Sequence, residues 1–296
     1  MIKLFWNTHN QKSADTIEAN DNKDAVDSKW GIYHKNNSDK WIYFILEKIK
    51  FKIIESEKEL ESGDVLVVID SSIEKKDKLY KRLKLICSKM FLIHLGDEAG
   101  SFNLNSIYDN FHFVWRTFCS NKYFTNKYVK CLPIGYKSGT FYKKQEDGRK
   151  YKWAFIGTPH KSSRHDLLFQ LSTIKPAFCH KTKKFNEKIL TVEEMSKILS
   201  LTQFIPCPNG FVHPETYRLY EALQCGCIPI VENAYKYYDR LFPNNPFLKI
   251  DKWIESKFII DKWGQDQIKL KQEECSNWWS EYKNNIQEFI KNKINL

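Results

Sequence analysis

Short runs of consecutive apolar residues alternate along this chain with longer stretches whose apolar positions recur every third or fourth residue. The first pattern belongs to strands buried on both faces, the second to amphipathic helices. Strands are predicted at Lys3–Trp6, Phe51–Ile54, Asp64–Ile69, Met90–Leu95, Phe111–Arg116 and Cys131–Ile134, with helices at Lys40–Lys50 and Glu74–Ser88. The first strand ends in Trp6-Asn7-Thr8-His9-Asn10, and the polar stretch that follows to Lys29 reads as a long loop. Tyr136–Lys152, with K-K-Q-E-D-G-R-K at its centre, reads as an interdomain linker. A second series follows: a strand at Trp153–Ile156, a loop at Gly157–His160, a helix from Arg164 to about Leu171 and a strand at Lys175–Cys179. Thr191–Glu194 has the form of a capping box opening a helix to Leu201. Beyond Asp251 the chain turns helical and ends in a Lys/Asn-rich amphipathic helix. Strands alternating with helices predict an α/β chain built on parallel doubly wound sheets.

Residues 203–233 form the clearest unit. Gln203–Cys207 is a strand-length apolar run, and Pro208–His213 is a breaker-rich loop containing Asn209 and Gly210. Pro214 suits a first helical turn, and from Glu215 and Thr216 the spacing is helical, with Tyr217, Tyr220 and Leu223 near one face. Cys225-Gly226 supplies a stop, and Cys227–Val231 returns as a strand. Such strand–loop–helix–strand units bind phosphate-bearing ligands at the helix start. Arg218 and Glu221 share one ridge of this helix. A guanidinium there can hold a diphosphate, and a carboxylate can accept from ribose hydroxyls. Helix geometry alone allows an ordinary surface ion pair worth about 0.2–0.5 kcal/mol instead.

Composition narrows the class. At 296 residues, two domains are expected, and 42% hydrophobic content with 20 Phe and 9 Trp can fill two cores. No apolar run reaches membrane-spanning length, and the start M-I-K-L-F-W-N-T-H-N turns polar too early for a signal peptide. The eight cysteines lack paired C-x-x-C spacing and several lie in apolar runs, which reads as reduced core thiols in a cytosolic setting. Cys225-x-Cys227 has no second pair to complete a metal site. The formal charge of +11 raises nucleic-acid binding, but the basic residues are mostly lysines dispersed among Asn and Glu.

The segment E-T-Y-R-L-Y-E-A-L-Q-C-G-C-I-P-I-V, following P-N-G, resembles the nucleotide-sugar signature of exostosin-type glycosyltransferases of family 47. F-I-G-T-P-H-K-S-S-R (155–164), H-L-G-D-E (94–98), W-R-T-F (115–118) and L-P-I-G-Y (132–136) extend the resemblance. They fit a branch that includes ribitol xylosyltransferase and xylosyltransferases of large DNA viruses. The resemblance implies a GT-B fold, two Rossmann-like domains facing a cleft. The acceptor-binding domain would be 1–145, with a terminal helix at 270–296 packing back on it, and the nucleotide-sugar domain 146–269. It implies an inverting transfer from a UDP-sugar, with xylose favoured, to a glycan hydroxyl, with no cofactor and no metal. The absence of an apolar anchor suits a viral or microbial enzyme acting in the cytoplasm. By position, Arg218 and Arg164 would meet the diphosphate and Glu221 the ribose. Gly157, Thr158, Pro208, Asn209, Gly210, Glu215 and Thr216 would complete the donor site.

An inverting transfer needs a base for the acceptor hydroxyl. The candidates are Asp70 and the pair Asp97-Glu98, each just past a predicted parallel strand, where clefts in such sheets lie. Loop carboxylates in such places also commonly cap the next helix. Trp6 and His9, at the end of the first strand, are candidate acceptor contacts, and His9 is a third candidate base; core packing is the better reading for Trp6 and Tyr136. No D-x-D occurs, so the usual carboxylate handle for a metal-bound nucleotide sugar is missing. A catalytically silent glycan-binding relative and a basic nucleic-acid-binding protein remain as alternatives.

Overall fold

The computed structural model describes residues 1–6, 40–136, 139–143, 148–160, 163–183 and 190–295. His9 and most of the expected N-terminal loop lie outside them. The chain divides into two compact units: Met1–Asn37, Ile42–Pro133 and Gln287–Leu296 make the first, Ser38–Trp41 and Ile134–Ile286 the second.

Up to Pro133 the elements are β1 (Ile2–Trp6), α1 (Lys40–Leu46), β2 (Lys52–Ile54), β3 (Val65–Asp70), α2 (Asp77–Lys84), β4 (Lys89–His94), α3 (Asn105–Tyr108), β5 (Phe113–Arg116) and β6 (Val129–Cys131). The strands form one sheet in the order β2-β1-β3-β4-β5-β6, every pairing parallel. Alternate residues face opposite sides of a strand. Phe5, Leu66, Val68, Leu92 and Val114 join Tyr80 and Leu83 of α2 and Ile107 of α3 in one core. On the other face Trp6 meets Tyr43 of α1 edge-on at 5.7 Å, and Phe113 meets Phe289 of the final helix at 5.8 Å. Helices on both faces explain why these strands read as unbroken apolar runs.

The second unit continues with β7 (Tyr151–Gly157), α4 (Arg164–Gln170), β8 (Ala177–Lys181), α5 (Val192–Ser200), β9 (Thr202–Cys207), α6 (Tyr217–Gln224), β10 (Ile228–Glu232), α7 (Tyr237–Leu241), β11 (Leu248–Ile250) and α8 (Trp253–Lys262). The 31-residue α9 (Gln265–Asn295) begins here, and its residues from Gln287 belong to the first unit. The sheet order is β11-β10-β9-β7-β8, again parallel throughout. Trp153, Phe155, Phe204, Ile228 and Ile230 pack with Leu167 of α4 and Trp253 and Ile260 of α8. Chain order reverses between β7 and β9, the topological switch point at which ligands bind beyond the carboxyl ends of such sheets.

The departures from sequence expectation have local causes. The helix expected from Glu74 begins at Asp77, because the preceding residues wrap the Asp70 carboxylate. The strand expected to run to Ile134 stops at Cys131, short of Pro133, which has no N–H for a ladder. The charged stretch read as a linker is anchored where it is described. Arg149 donates from Nη1 to the carbonyls of Leu199 (3.1 Å), Ser200 (3.1 Å) and Thr202 (2.7 Å), and from Nη2 to those of Cys225 (2.9 Å) and Gly226 (2.7 Å). It thereby serves the open carbonyls at the ends of α5 and α6. Gly226 takes a φ of 66°, and a Cβ there would lie 2.9 Å from Arg149 Nη2.

The expectation that the cysteines are reduced needs correction at two positions: Cys119 and Cys131 form a disulfide. Such bonds persist in oxidising compartments, so the cytosolic reading loses the support it drew from thiols. Cys87, Cys207, Cys225, Cys227 and Cys275 are free and buried, and burial raises each thiol above its ordinary range. Among the described residues, no helix is long and apolar enough to cross a membrane.

Candidate active site

The switch point of the second sheet collects most of the expected donor residues. β7 ends at Gly157, whose φ of 141° favours glycine and whose Cβ, if present, would lie 2.8 Å from Arg218 Nη2. That close approach lets Arg218 donate to the Ile156 carbonyl at 2.9 Å and lie 4.7 Å from the Phe155 ring centroid. Burial pulls Arg218 below its ordinary range, with the Glu221 carboxylate acting the other way. Glu221 is half-buried one turn further along α6.

Arg164 opens α4 and is 8% exposed. Its Nη1 donates to the Thr158 carbonyl at 2.9 Å, while its Nε is buried with no partner among the described residues. Burial and then the neighbouring Arg218 charge bring it down to about 10, against the pull of Glu232. Two guanidiniums are thus held near one another in a partly dry setting, an arrangement that an anion relieves. Thr158 is itself buried, its hydroxyl 3.4 Å from that of Thr182.

The loop after β9 completes the cluster. Pro208 is buried; at Gly210 a Cβ would meet the His213 carbonyl oxygen at 2.5 Å, so the backbone folds over on itself only with glycine there. Asn209 donates its backbone N–H to Glu232 at 2.7 Å, and its Oδ1 is buried without a partner among the described residues. Thr216 stands at the N-cap of α6 with extended backbone, yet its side chain makes no capping bond. Its Oγ1 is buried and likewise unpartnered among the described residues. The Thr216 side chain therefore does not cap α6, whose positive dipole end lies here.

Sequence reasoning passed over Glu232, which closes β10. Its carboxylate accepts from both the Ser163 hydroxyl and the Asn209 amide, and Ser163 in turn accepts from Trp253 Nε1 at 2.9 Å. One carboxylate ties the loop before Arg164 to the loop before Arg218. The signal was present, since Glu232 follows a β-branched run at the carboxyl end of a parallel strand, the same position that singled out Asp70.

Glu215 departs from its expected place among the donor contacts. It is 3% exposed, and its oxygens accept from the hydroxyls of Tyr220 and Tyr237 (2.7 Å) and the Ile134 amide (3.1 Å). Burial pushes its carboxyl up to about 7 despite those bonds. Its valence is spent on the fold.

In the first unit, register aligns Asp70, His94, Arg116 and Cys131 across the carboxyl ends of β3 to β6. Asp70 is 1% exposed and accepts from Lys76 Nζ (2.9 and 2.7 Å), the Tyr80 hydroxyl (2.6 Å) and the Ser72 amide (3.0 Å). Such saturation makes Asp70, one of the expected bases, an anchor for the loop into α2. Arg116 is fully buried and donates to the Tyr108 hydroxyl (3.1 Å), the Asp97 carboxylate (3.3 Å) and the Phe118 carbonyl (3.3 Å). Asp97 has a φ of 59° and also accepts from the Ser101 amide at 2.8 Å. His94 is held 2.8 Å from the Tyr108 hydroxyl; burial, then the Arg116 charge, lower it to about 3, so the ring is neutral. Glu98 is the exposed carboxylate of this turn. Trp6 is 7% exposed in the core contact with Tyr43, which corrects its selection as an acceptor platform.

Residues 136–295, more than half of the chain and the segment bearing both arginines, match the family model of the RXYLT1 C-terminal domain. The chain belongs to that family. The RXYLT1 C-terminal domain marks a ribitol xylosyltransferase-like glycosyltransferase family. No curated protein matches the chain by sequence. Solved structures are similar in fold. HepE of Anabaena, in complex with UDP and glucose, is 9% identical with a TM-score of 0.50, the match covering 100% of this chain and 99% of that one. An alpha1,3-fucosyltransferase is 13% identical with a TM-score of 0.50, covering 91% and 80%. The N-terminal domain of a Candida albicans trehalose-6-phosphate phosphatase is 9% identical with a TM-score of 0.52, covering 90% and 75%. The fold of this RXYLT1-family chain is α/β and of the GT-B type.

Proposed function

We propose that the protein transfers a sugar from a UDP-sugar to a hydroxyl of a glycan acceptor, with xylose the favoured sugar, inversion at the anomeric carbon and no metal. One observation carries the reading. At the switch point of the second sheet, the buried Arg164 Nε and Thr216 Oγ1 lack partners among the described residues, beside Arg218 and the start of α6. Buried donors left unpaired cost about 1–3 kcal/mol each, and a pyrophosphate would satisfy them. UDP leaves carrying the charge that the broken glycosidic bond releases. Arg164, Arg218 and the α6 dipole stabilise that charge as it develops. Glu221 takes the ribose hydroxyls. Likeness to one structure that contains UDP supports the nucleotide, and the family match supports xylose. The E-T-Y-R-L-Y-E-A-L segment supports kinship with exostosin-type transferases.

Of the carboxylates expected to act as base, Glu98 is the exposed one, while Asp70 and Asp97 are engaged with cations. Glu98 therefore takes the acceptor proton in this proposal, with Asp97 and Arg116 fixing its turn. Calorimetry with UDP, with and without EDTA, followed by hydrolysis of a panel of UDP-sugars, tests the reading. Metal-independent UDP binding and a preference for UDP-xylose are expected. Binding that EDTA abolishes would sink the metal-free mechanism, and UDP binding without hydrolysis or transfer would leave a silent relative.

A further inference from the structure

The atoms around the switch point that lack a partner among the described residues are of two chemical kinds. Arg164 Nε is a donor only, and the Thr216 hydroxyl can donate; both suit phosphoryl oxygens. Asn209 Oδ1 is an acceptor only, and a phosphate oxygen facing it would repel it. It requires a group that brings a proton.

The backbone that carries this side chain is held in place. Its own N–H is fixed to Glu232 at 2.7 Å, the preceding Pro208 is buried, and the following Gly210 is packed against backbone. Glu232 also holds Ser163, the residue before Arg164. Asn209 is therefore clamped beside the cations that take the diphosphate, not a nucleoside's length away. In a nucleotide sugar, the proton-bearing groups next to the diphosphate are hydroxyls of the ribose and of the transferred sugar. The ribose is assigned to Glu221.

We propose that Asn209 determines donor-sugar specificity by accepting a hydrogen bond from a hydroxyl of the transferred sugar, with Glu232 as the positioning residue that holds it there. This rests on the reading of a UDP-sugar donor and names the group that reads the sugar. An acceptor clamped in a buried site rejects a donor lacking the matching hydroxyl, because the acceptor is then left unpaired.

The test measures Kd for UDP, UDP-xylose and monodeoxy UDP-xyloses with the wild type, Asn209→Ala and Asn209→Asp. In Asn209→Ala, UDP affinity is expected within about twofold of wild type and UDP-xylose affinity about tenfold weaker. One deoxy analogue should bind the wild type about tenfold more weakly than UDP-xylose does, and Asn209→Ala should not distinguish the two. Asn209→Asp keeps an acceptor oxygen, so its ratio of UDP-xylose to UDP affinity should stay near wild type even if added charge weakens both. Equal losses for UDP and UDP-xylose in Asn209→Ala would move Asn209 to the nucleotide and overturn the proposal. Unchanged discrimination among the deoxy analogues would overturn it as well. A wild type that binds no UDP would instead bring down the donor reading on which it stands.

Discussion

The two units share a strand order yet treat their buried charges in opposite ways. In each, the central strands run out from a point where chain order reverses, with loops gathered at the carboxyl ends. In the first unit the buried charges there are paired: Asp70 with Lys76 at 2.7 Å, Arg116 with Asp97 at 3.3 Å. In the second, neither Arg164 nor Arg218 forms a salt bridge with a carboxylate among the described residues, and their bonds go to the carbonyls of Thr158 and Ile156. Pairing stiffens a scaffold; positive charge held without pairing is an unspent binding site. Fold alone does not separate the two cases, since both sheets offer the same crevice position.

The sharpest way to break that contrast is Arg218→Ala. Donor turnover is expected to fall about a thousandfold, in line with removal of one oxyanion-stabilising donor, with a melting temperature close to wild type. Steady-state kinetics with UDP-xylose beside a thermal melt checks both halves, and undiminished turnover would take Arg218 out of the site. Asp70→Asn probes the other unit and should do the reverse. Leaving Lys76 without its buried counter-charge should cost about 3 kcal/mol of stability in urea titrations, while UDP affinity is retained. A large loss of UDP affinity at full stability would refute the scaffold role.

Glu215 gives a smaller effect with a defined pH window. Its folded carboxyl sits at about 7, above an ordinary value of 4.5. The proton is thus held more tightly in the folded chain. The stability it confers is complete below about pH 4.5 and lost as pH rises through about 7. Urea midpoints for the wild type should decline over that window, by about 3 kcal/mol in stability, whereas Glu215→Gln should lack this component. Parallel profiles for the two proteins would rule the assignment out. The smallest change is expected from Thr216→Val. Its hydroxyl caps nothing, so stability should stay within about 0.5 kcal/mol and UDP should bind about three- to tenfold more weakly. A stability loss without an affinity change would show a hidden protein partner for that hydroxyl.

Much of this was legible in advance because its causes are local. The strands at Lys3–Trp6, Asp64–Ile69 and Gln203–Cys207 follow from unbroken apolar runs, and the Thr191–Glu194 capping box forms as its spacing predicts. Strand ends and helix starts can be located from pattern, and the resemblance to exostosin-type transferases then singled out Arg164, Arg218, Asn209 and Thr216 at them. Errors arose where a polar residue's partner lies far along the chain. Glu215 sits in the same nine-residue segment as Asn209, but Tyr237 and Ile134 claim it from 22 and 81 positions away. Arg149 looked like part of a solvated linker until carbonyls 50 and more residues distant converged on it. Cys119 and Cys131 met only once β5 and β6 were neighbours.

By itself, the order of apolar and polar residues determined two series of strands and helices, where each strand ends, and which cations follow those ends. These are consequences of backbone periodicity and of turn chemistry, which act over a few residues. Which polar atoms keep a partner and which are left over was decided only by tertiary packing. Hydrogen-bonding capacity is exhausted by whatever neighbours the fold supplies, and those neighbours come from anywhere in the chain. Asp70 and Glu215 were used up in this way; Arg164 Nε, Asn209 Oδ1 and Thr216 Oγ1 keep no partner among the described residues, and the proposed donor site is built on that remainder.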